Sequence, residues 1–255
     1  MRFPICFLAA ISLSAFGQSS QPQQPNYLAE SIRSLDHYRE TMIPVYMNDF
    51  GQLGRYRQAN AALSAPQNGE RRVIFFGDSI TDGWHLDEYF PGKGYINRGI
   101  SGQTTSQMLV RFRQDVIDLK PAAVVILAGT NDIAGNTGQI SLEDIEANLT
   151  SMAQLAHASG VRMIVSSVTP VHDYTPQSQN FFAQRDPEKI LALNAWLKNY
   201  CAAHDLIYLD YFPAMVDQQG LLRKDLATDG LHPNDAGYKI MAPLAEAAIE
   251  KALGQ

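Results

Sequence analysis

Val73-Ile74-Phe75-Phe76-Gly77-Asp78-Ser79-Ile80-Thr81-Asp82 is the stretch that decides the fold. Its first four residues are β-branched or aromatic without a polar interruption, which suits a strand buried on both faces, as in a parallel sheet covered by helices. Gly77-Asp78-Ser79 then breaks the run with residue types that open a helix. Outward from this stretch the pattern repeats. Tyr95-Ile96-Asn97 is a weaker strand, Ala123 to Leu127 the clearest one, Arg162 to Val168 a fourth and Leu206 to Leu209 a fifth. Between them the apolar residues fall at helical spacing. Met108, Leu109, Phe112, Val116 and Leu119 form one stripe, stopped by Pro121. Ile145, Leu149, Met152 and Ala156 form another, with Ser141 as N-cap and Gly160 at the far end. Ile190 to Cys201 is a third, and a last helix starts near Asn234, with Pro243 expected to bend or interrupt it. Strand and helix in alternation predict a doubly wound α/β sandwich with right-handed crossovers.

The rest of the 255-residue chain sets boundaries on function. It is 45% hydrophobic and 18% charged, ordinary for one soluble α/β domain of this length. A net charge of -6 without any basic run argues against nucleic acid and against charge-driven binding to an anionic membrane. Met1-Arg2 followed by the apolar run Phe3 to Phe16 and the small-x-small triplet Ala15-Phe16-Gly17 reads as a signal peptide over residues 1–17, cleaved near Gly17. The run is shorter than the roughly 20 residues of a spanning helix, so the mature chain is expected to have no membrane span and to be periplasmic or extracellular. Residues 18–71 divide into a Gln-, Ser- and Pro-rich leader and, from Tyr27, a helical extension whose purpose the pattern does not reveal. Residues 72–255 form the main domain. Cys6 leaves with the signal, and Cys201 lies on a helical stripe as a small core residue.

In a doubly wound sheet, ligands bind beyond the carboxyl ends of the strands. Four loops fall there: Gly77 to Asp82, Asn97 to Thr104, Gly129-Thr130-Asn131-Asp132 and Asp229-Gly230-Leu231-His232-Pro233. A serine hydroxyl needs a base to become a nucleophile. Ser79 stands at a strand-to-helix turn, His232 is the natural base because imidazole titrates near neutrality, and Asp229 can accept from its second nitrogen. The Ser79 and Gly102 amides and the Asn131 side chain could serve a tetrahedral oxyanion. Taken singly, each has a structural reading: Asp78 or Ser79 as a cap, Gly102 as a positive backbone torsion, Asn131-Asp132 as a capping loop, Asp229 and His232 as a surface turn. Their joint occurrence in this order at strand ends favours the chemical reading.

These four blocks resemble those of SGNH (GDSL-like) hydrolases, over roughly Arg72 to Leu253, with Ile80 in place of the usual leucine. The resemblance implies a flavodoxin-like three-layer α/β/α sandwich on a central, mostly parallel five-stranded sheet. It also implies a serine esterase mechanism without metal or other cofactor, and an oxyanion hole of Ser79, Gly102 and Asn131. The lipase elbow of classical α/β-hydrolases needs glycine two positions after the serine, where Thr81 stands. No His-Glu-x-x-His helix or paired-histidine motif occurs.

Substrate is less legible. Trp84 follows the nucleophile turn. The connection after the fourth strand carries His172, Tyr174, Phe181, Phe182 and Arg185. Trp84, Tyr174, Phe181 and Phe182 are candidate substrate contacts, although the two phenylalanines equally suit pinning the loop to the core. With no strongly apolar lid, the expectation is a short acyl ester, acetyl above all, on a small molecule or carbohydrate. Lysophospholipase or thioesterase activity, or a non-catalytic glycan-binding module, are the alternatives.

Overall fold

The computed structural model describes residues 27–254, so the signal-peptide segment 1–17 lies outside the described residues. The chain opens with two helices, α1 (Tyr27–Asp49) and α2 (Gly54–Ala62), ahead of the first strand, β1 (Val73–Gly77). Two one-turn helices, α3 (Ser79–Asp82) and α4 (Leu86–Tyr89), lead to β2 (Ile96–Gly99). Then come α5 (Thr105–Asp115), β3 (Ala123–Leu127), the short α6 (Thr130–Ala134), α7 (Leu142–Ala158) and β4 (Arg162–Ser166). The last third holds α8 (Pro176–Gln184), α9 (Pro187–Ala203), β5 (Ile207–Leu209), α10 (Phe212–Met215) and α11 (Asp235–Leu253).

The five strands form one sheet in the order β2-β1-β3-β4-β5, and every pairing is parallel. Alternate side chains of each strand supply two separate cores. Ile74, Phe76, Val124 and Ile126 pack on the side of α5, α7 and α9 with Met108, Phe112, Leu149 and Leu193. Val73, Phe75, Val125 and Leu127 pack on the opposite side against Met241, Ala245 and Ile249 of α11. This is why the strands read as continuous apolar runs. Cys201 is buried in the first core, as its stripe suggested, and burial pushes its thiol up to about 11.

Three boundaries differ from expectation. α5 stops at Asp115, and the chain closes through a 3-10 turn, Ile117–Leu119, ending on Lys120 in the left-handed region. Pro121 therefore follows a tightened last turn rather than cutting the α-helix itself. α11 continues through Pro243 without interruption, and Pro243 is exposed, so the carbonyl it leaves unbonded can face water. The connection after β4 contains a helix, α8, capped by the Thr175 hydroxyl accepting from the Ser178 N–H.

Candidate active site

The strand order reverses at β1 and β3, whose carboxyl ends are adjacent, and the four loops meet above them. β1 ends at Gly77. Asp78 then caps α3, its Oδ1 accepting from the Ile80 N–H at 3.0 Å, and Ser79 becomes the first helical residue. A first-turn amide has no acceptor inside its own helix. Among the described residues neither the Ser79 N–H nor the Gly102 N–H has a hydrogen-bond acceptor.

His232 comes from the loop before α11. Its Nε2 lies 2.9 Å from Ser79 Oγ, and its Nδ1 lies 2.7 Å from Asp229 Oδ2. The other Asp229 oxygen accepts from the backbone N–H of Leu231 at 3.0 Å and of His232 at 2.8 Å. Burial works against the charge on Asp229. The His232 side chain and these backbone donors outweigh it and hold the carboxylate down at about 2. Asp229 thus stays ionised wherever His232 is called on to carry a proton.

The remaining blocks are tied to each other by side chains. Asp82 accepts from the Ser101 N–H and hydroxyl, at 3.2 and 2.7 Å, joining the first loop to the second. Asp132 accepts from the Thr105 N–H at 2.9 Å and from its hydroxyl, joining the third to the start of α5. Gly102 sits at φ +79°, and the Tyr38 hydroxyl lies where its Cβ would be, so conformation and space both demand glycine. Asn131 is buried; its Nδ2 donates to the Gln103 carbonyl at 3.1 Å, leaving a second hydrogen on the same nitrogen.

Ser79, Gly102, Asn131 and His232 line one cleft of about 360 Å³, together with Ser34, Leu35 and Tyr38 of α1 and with Phe181, Gln184 and Arg185. The Phe181 ring stands edge-on to the His232 imidazole, centroids 5.9 Å apart. A more open groove of about 480 Å³ on the other flank of Ser79 and His232 is lined by Asp82, Gly83, Pro233 and Tyr238. A larger groove, about 700 Å³ between α4 and α11, contains none of these residues.

Of the four aromatic candidates, Phe181 alone lines the cleft. Trp84 is 3% exposed and packs among Phe75, Phe90 and Tyr238 in the second core, so it is not a substrate contact. It follows a helix of a single turn, and its carbonyl accepts from Asn97 Nδ2 at 3.0 Å, two residues short of the end of β2. Tyr174 is also turned away: its hydroxyl donates to the Ala227 carbonyl and accepts from the Gly230 N–H at 3.0 Å, bracing the loop that carries Asp229 and His232. Phe182 packs on the first core, and so does Phe181 beside its place in the cleft. His172 lies against Tyr174, and its backbone N–H donates to the Gly230 carbonyl at 2.9 Å.

Sequence reading missed the contribution of α1. This helix is fastened beside the cleft by Arg39 Nε donating to the Gly135 carbonyl at 2.9 Å, by the Ser31 hydroxyl donating to the Asn180 carbonyl at 3.2 Å, and by Gln184 Nε2 donating to the Ser31 carbonyl at 3.2 Å. Ser34, Leu35 and Tyr38 share one helical face, the signal that was available. That face mixes polar and apolar residues, so its spacing named no partner.

The model of the GDSL-like Lipase/Acylhydrolase family matches residues 75–240. The solved structure of a GDSL-like lipase from Bacteroides thetaiotaomicron VPI-5482 is similar, with a TM-score of 0.74 at 43% identity, over 80% of this chain and 99% of that one. The lipoprotein YqeF of Bacillus subtilis (strain 168) is 29% identical over 136 residues, 46% of this chain, and the match spans 56% of that relative's length. An acetylxylan esterase from Geobacillus stearothermophilus is 25% identical over 211 residues, 69% of this chain and 91% of its own.

Proposed function

Because this chain belongs to the GDSL-like lipase/acylhydrolase family and is a serine ester hydrolase of it, we propose that it removes short acyl groups, acetyl above all, from the hydroxyls of a carbohydrate or similar small alcohol. The observation that carries the reading is the run Ser79–His232–Asp229, at 2.9 and 2.7 Å, opening on the same cleft as Gly102 and Asn131.

In this reading His232 Nε2 takes the hydroxyl proton as Ser79 Oγ bonds to the acyl carbon. The carbonyl oxygen becomes an oxyanion facing the Ser79 and Gly102 amides and the free hydrogen of Asn131 Nδ2. The C–O bond to the alcohol then breaks, and His232 returns the proton to the departing oxygen. Water attacks the acyl-serine by the same proton route and releases the acid. Asp229 stabilises the imidazolium in both halves.

The cleft supports a short acyl group. It is small, and its apolar wall of Leu35, Phe181 and Leu231 is interrupted by Ser34, Asn136, Gln184 and Arg185, so the gain of about 0.8 kcal/mol per buried methylene does not extend along a long chain. The polar side chains Ser34, Asn136 and Gln184 along the cleft suit sugar hydroxyls, and the likeness to an acetylxylan esterase favours that alcohol. Residues 1–17 as a signal peptide, and a relative named as a lipoprotein, support export of a mature chain whose hydrolase domain starts near residue 72. No helix among the described residues is long and apolar enough to cross a membrane.

The test is turnover of acetyl and octanoyl esters of one alcohol, then of acetylated sugars, by the wild type and by Ser79→Ala. Wild-type activity greatest on acetyl and absent in Ser79→Ala is the expected result. A preference for octanoyl would move the protein to the lysophospholipase or thioesterase class. Glycan binding with no turnover by the wild type would make it a binding module.

A further inference from the structure

We propose that Arg185 is a positioning residue for the oxyanion hole, acting through Asn131; this rests on the esterase reading above. Arg185 follows α8 and turns inward, 3% exposed. Its Nη2 donates to Asn131 Oδ1 at 3.0 Å and its Nε to Thr130 Oγ1 at 3.1 Å, so one guanidinium holds two consecutive residues of the third block. Its Nη1 reaches Gln184 Oε1 at 3.3 Å, and the guanidinium carbon lies 5.4 Å from the centre of the Phe181 ring.

Two features separate this arginine from an ordinary buried one. The first is direction. Asn131 Oδ1 faces the arginine and Asn131 Nδ2 faces the Gln103 carbonyl. Rotating the amide by half a turn would set donor against donor at Arg185 and acceptor against acceptor at Gln103. Only one orientation survives, and it keeps an Nδ2 hydrogen on the cleft side. The second is charge. Arg111, equally buried, is paired with Asp115 at 3.1 Å. Arg185 has no ion pair among the described residues, and burial lowers its pKa to about 10 against the more distant pull of Asp78 and Asp229. A buried cation without a carboxylate is costly unless negative charge arrives beside it. The cleft that Arg185 borders is where the reaction forms an oxyanion. The cation therefore polarises the Asn131 amide, through Oδ1, toward the oxygen that Nδ2 serves.

The experiment measures kcat and KM on an acetyl ester for Arg185→Met, Arg185→Lys, Asn131→Ala and the Arg185→Met/Asn131→Ala pair, with thermal melts and the stoichiometry of fluorophosphonate labelling as checks on folding. Arg185→Met is expected to lower kcat about 100-fold, the scale of losing one oxyanion donor, with KM changed less than about threefold. Arg185→Lys, which keeps the charge, should recover at least about tenfold of that loss. The pair should be no slower than Asn131→Ala alone, because the two residues act as a unit. A kcat near wild type in Arg185→Met, or losses that multiply in the pair, overturns the proposal. If Arg185→Met does not fold, the Arg185→Lys/Asn131→Ala cycle decides by the same criterion. Ser79→Ala separates the two ideas: turnover without Ser79 would defeat the esterase reading itself, whereas a silent Arg185 would leave it standing.

Discussion

Asp229 holds His232 twice, once through the ring at Nδ1 and once through the backbone N–H, with a different carboxylate oxygen for each. The ring cannot turn without breaking the first bond, and the loop cannot shift without breaking the second. Asp229→Asn keeps the backbone contact but offers the ring either an amide donor or a weaker acceptor. It should lower kcat by up to about 10⁴, the loss seen when a triad aspartate fixes the wrong tautomer, and also lower the melting temperature, because the depressed carboxylate favours the folded state. Steady-state kinetics beside a thermal melt checks both halves of this expectation.

Tyr174 supports the same loop from below. Tyr174→Phe removes the hydroxyl that bridges the Ala227 carbonyl and the Gly230 N–H. The expected cost is about 1 kcal/mol of stability and a several-fold fall in kcat, with acyl-length preference untouched. Were Tyr174 a substrate contact instead, selectivity would change and stability would not.

The carboxyls predict how stability varies with pH. Burial pushes Asp78 and Asp132 up to about 6 each, Asp78 against the Ile80 N–H and Asp132 against the Thr105 hydroxyl and N–H. Acids raised in the folded state favour folding progressively as pH falls from about 6 toward the unfolded value of about 3.9. Asp229, held at about 2, contributes fully above that unfolded value and loses its contribution as pH falls through about 2. The melting temperature should therefore rise between neutrality and about pH 4 and drop below it. Asp78→Asn should flatten the rise. Calorimetry across this range that shows a steady fall from neutrality, identical in Asp78→Asn, would contradict it.

α1 should govern which esters enter. Leu35→Ala widens the cleft of about 360 Å³ at its α1 wall. The ratio of kcat/KM for butyryl over acetyl esters should rise several-fold, since each added methylene that finds apolar contact gains about 0.8 kcal/mol. An unchanged ratio would place the acyl group in the open groove beside Pro233 and Tyr238.

Much of this was legible in the sequence because strand ends and block residues are local. Val73 to Phe76 reads as a doubly buried strand, the glycines, Ser79 and Asn131 follow strands at the end where such sheets bind ligands, and His232 stands just before the last helix. What escaped depends on packing between distant segments. Whether Trp84 faced the cleft or a core was settled by α11, which brings Tyr238 onto its ring at 5.1 Å. Whether Phe181 or Phe182 faced His232 depended on the phase of α8, and a connection read as irregular has no phase. Arg185 was visible as a charge in that connection, but its partner Asn131 lies 54 residues earlier.

The wall contributed by α1 precedes residue 75, where the pattern shared by the family begins. The hydrolytic residues thus lie inside the shared stretch, while Ser34, Leu35 and Tyr38, which wall one side of the cleft, lie outside it. Membership of the family speaks for the serine, glycine, asparagine and histidine, and that side of the cleft has to be read from this chain's own leading helix.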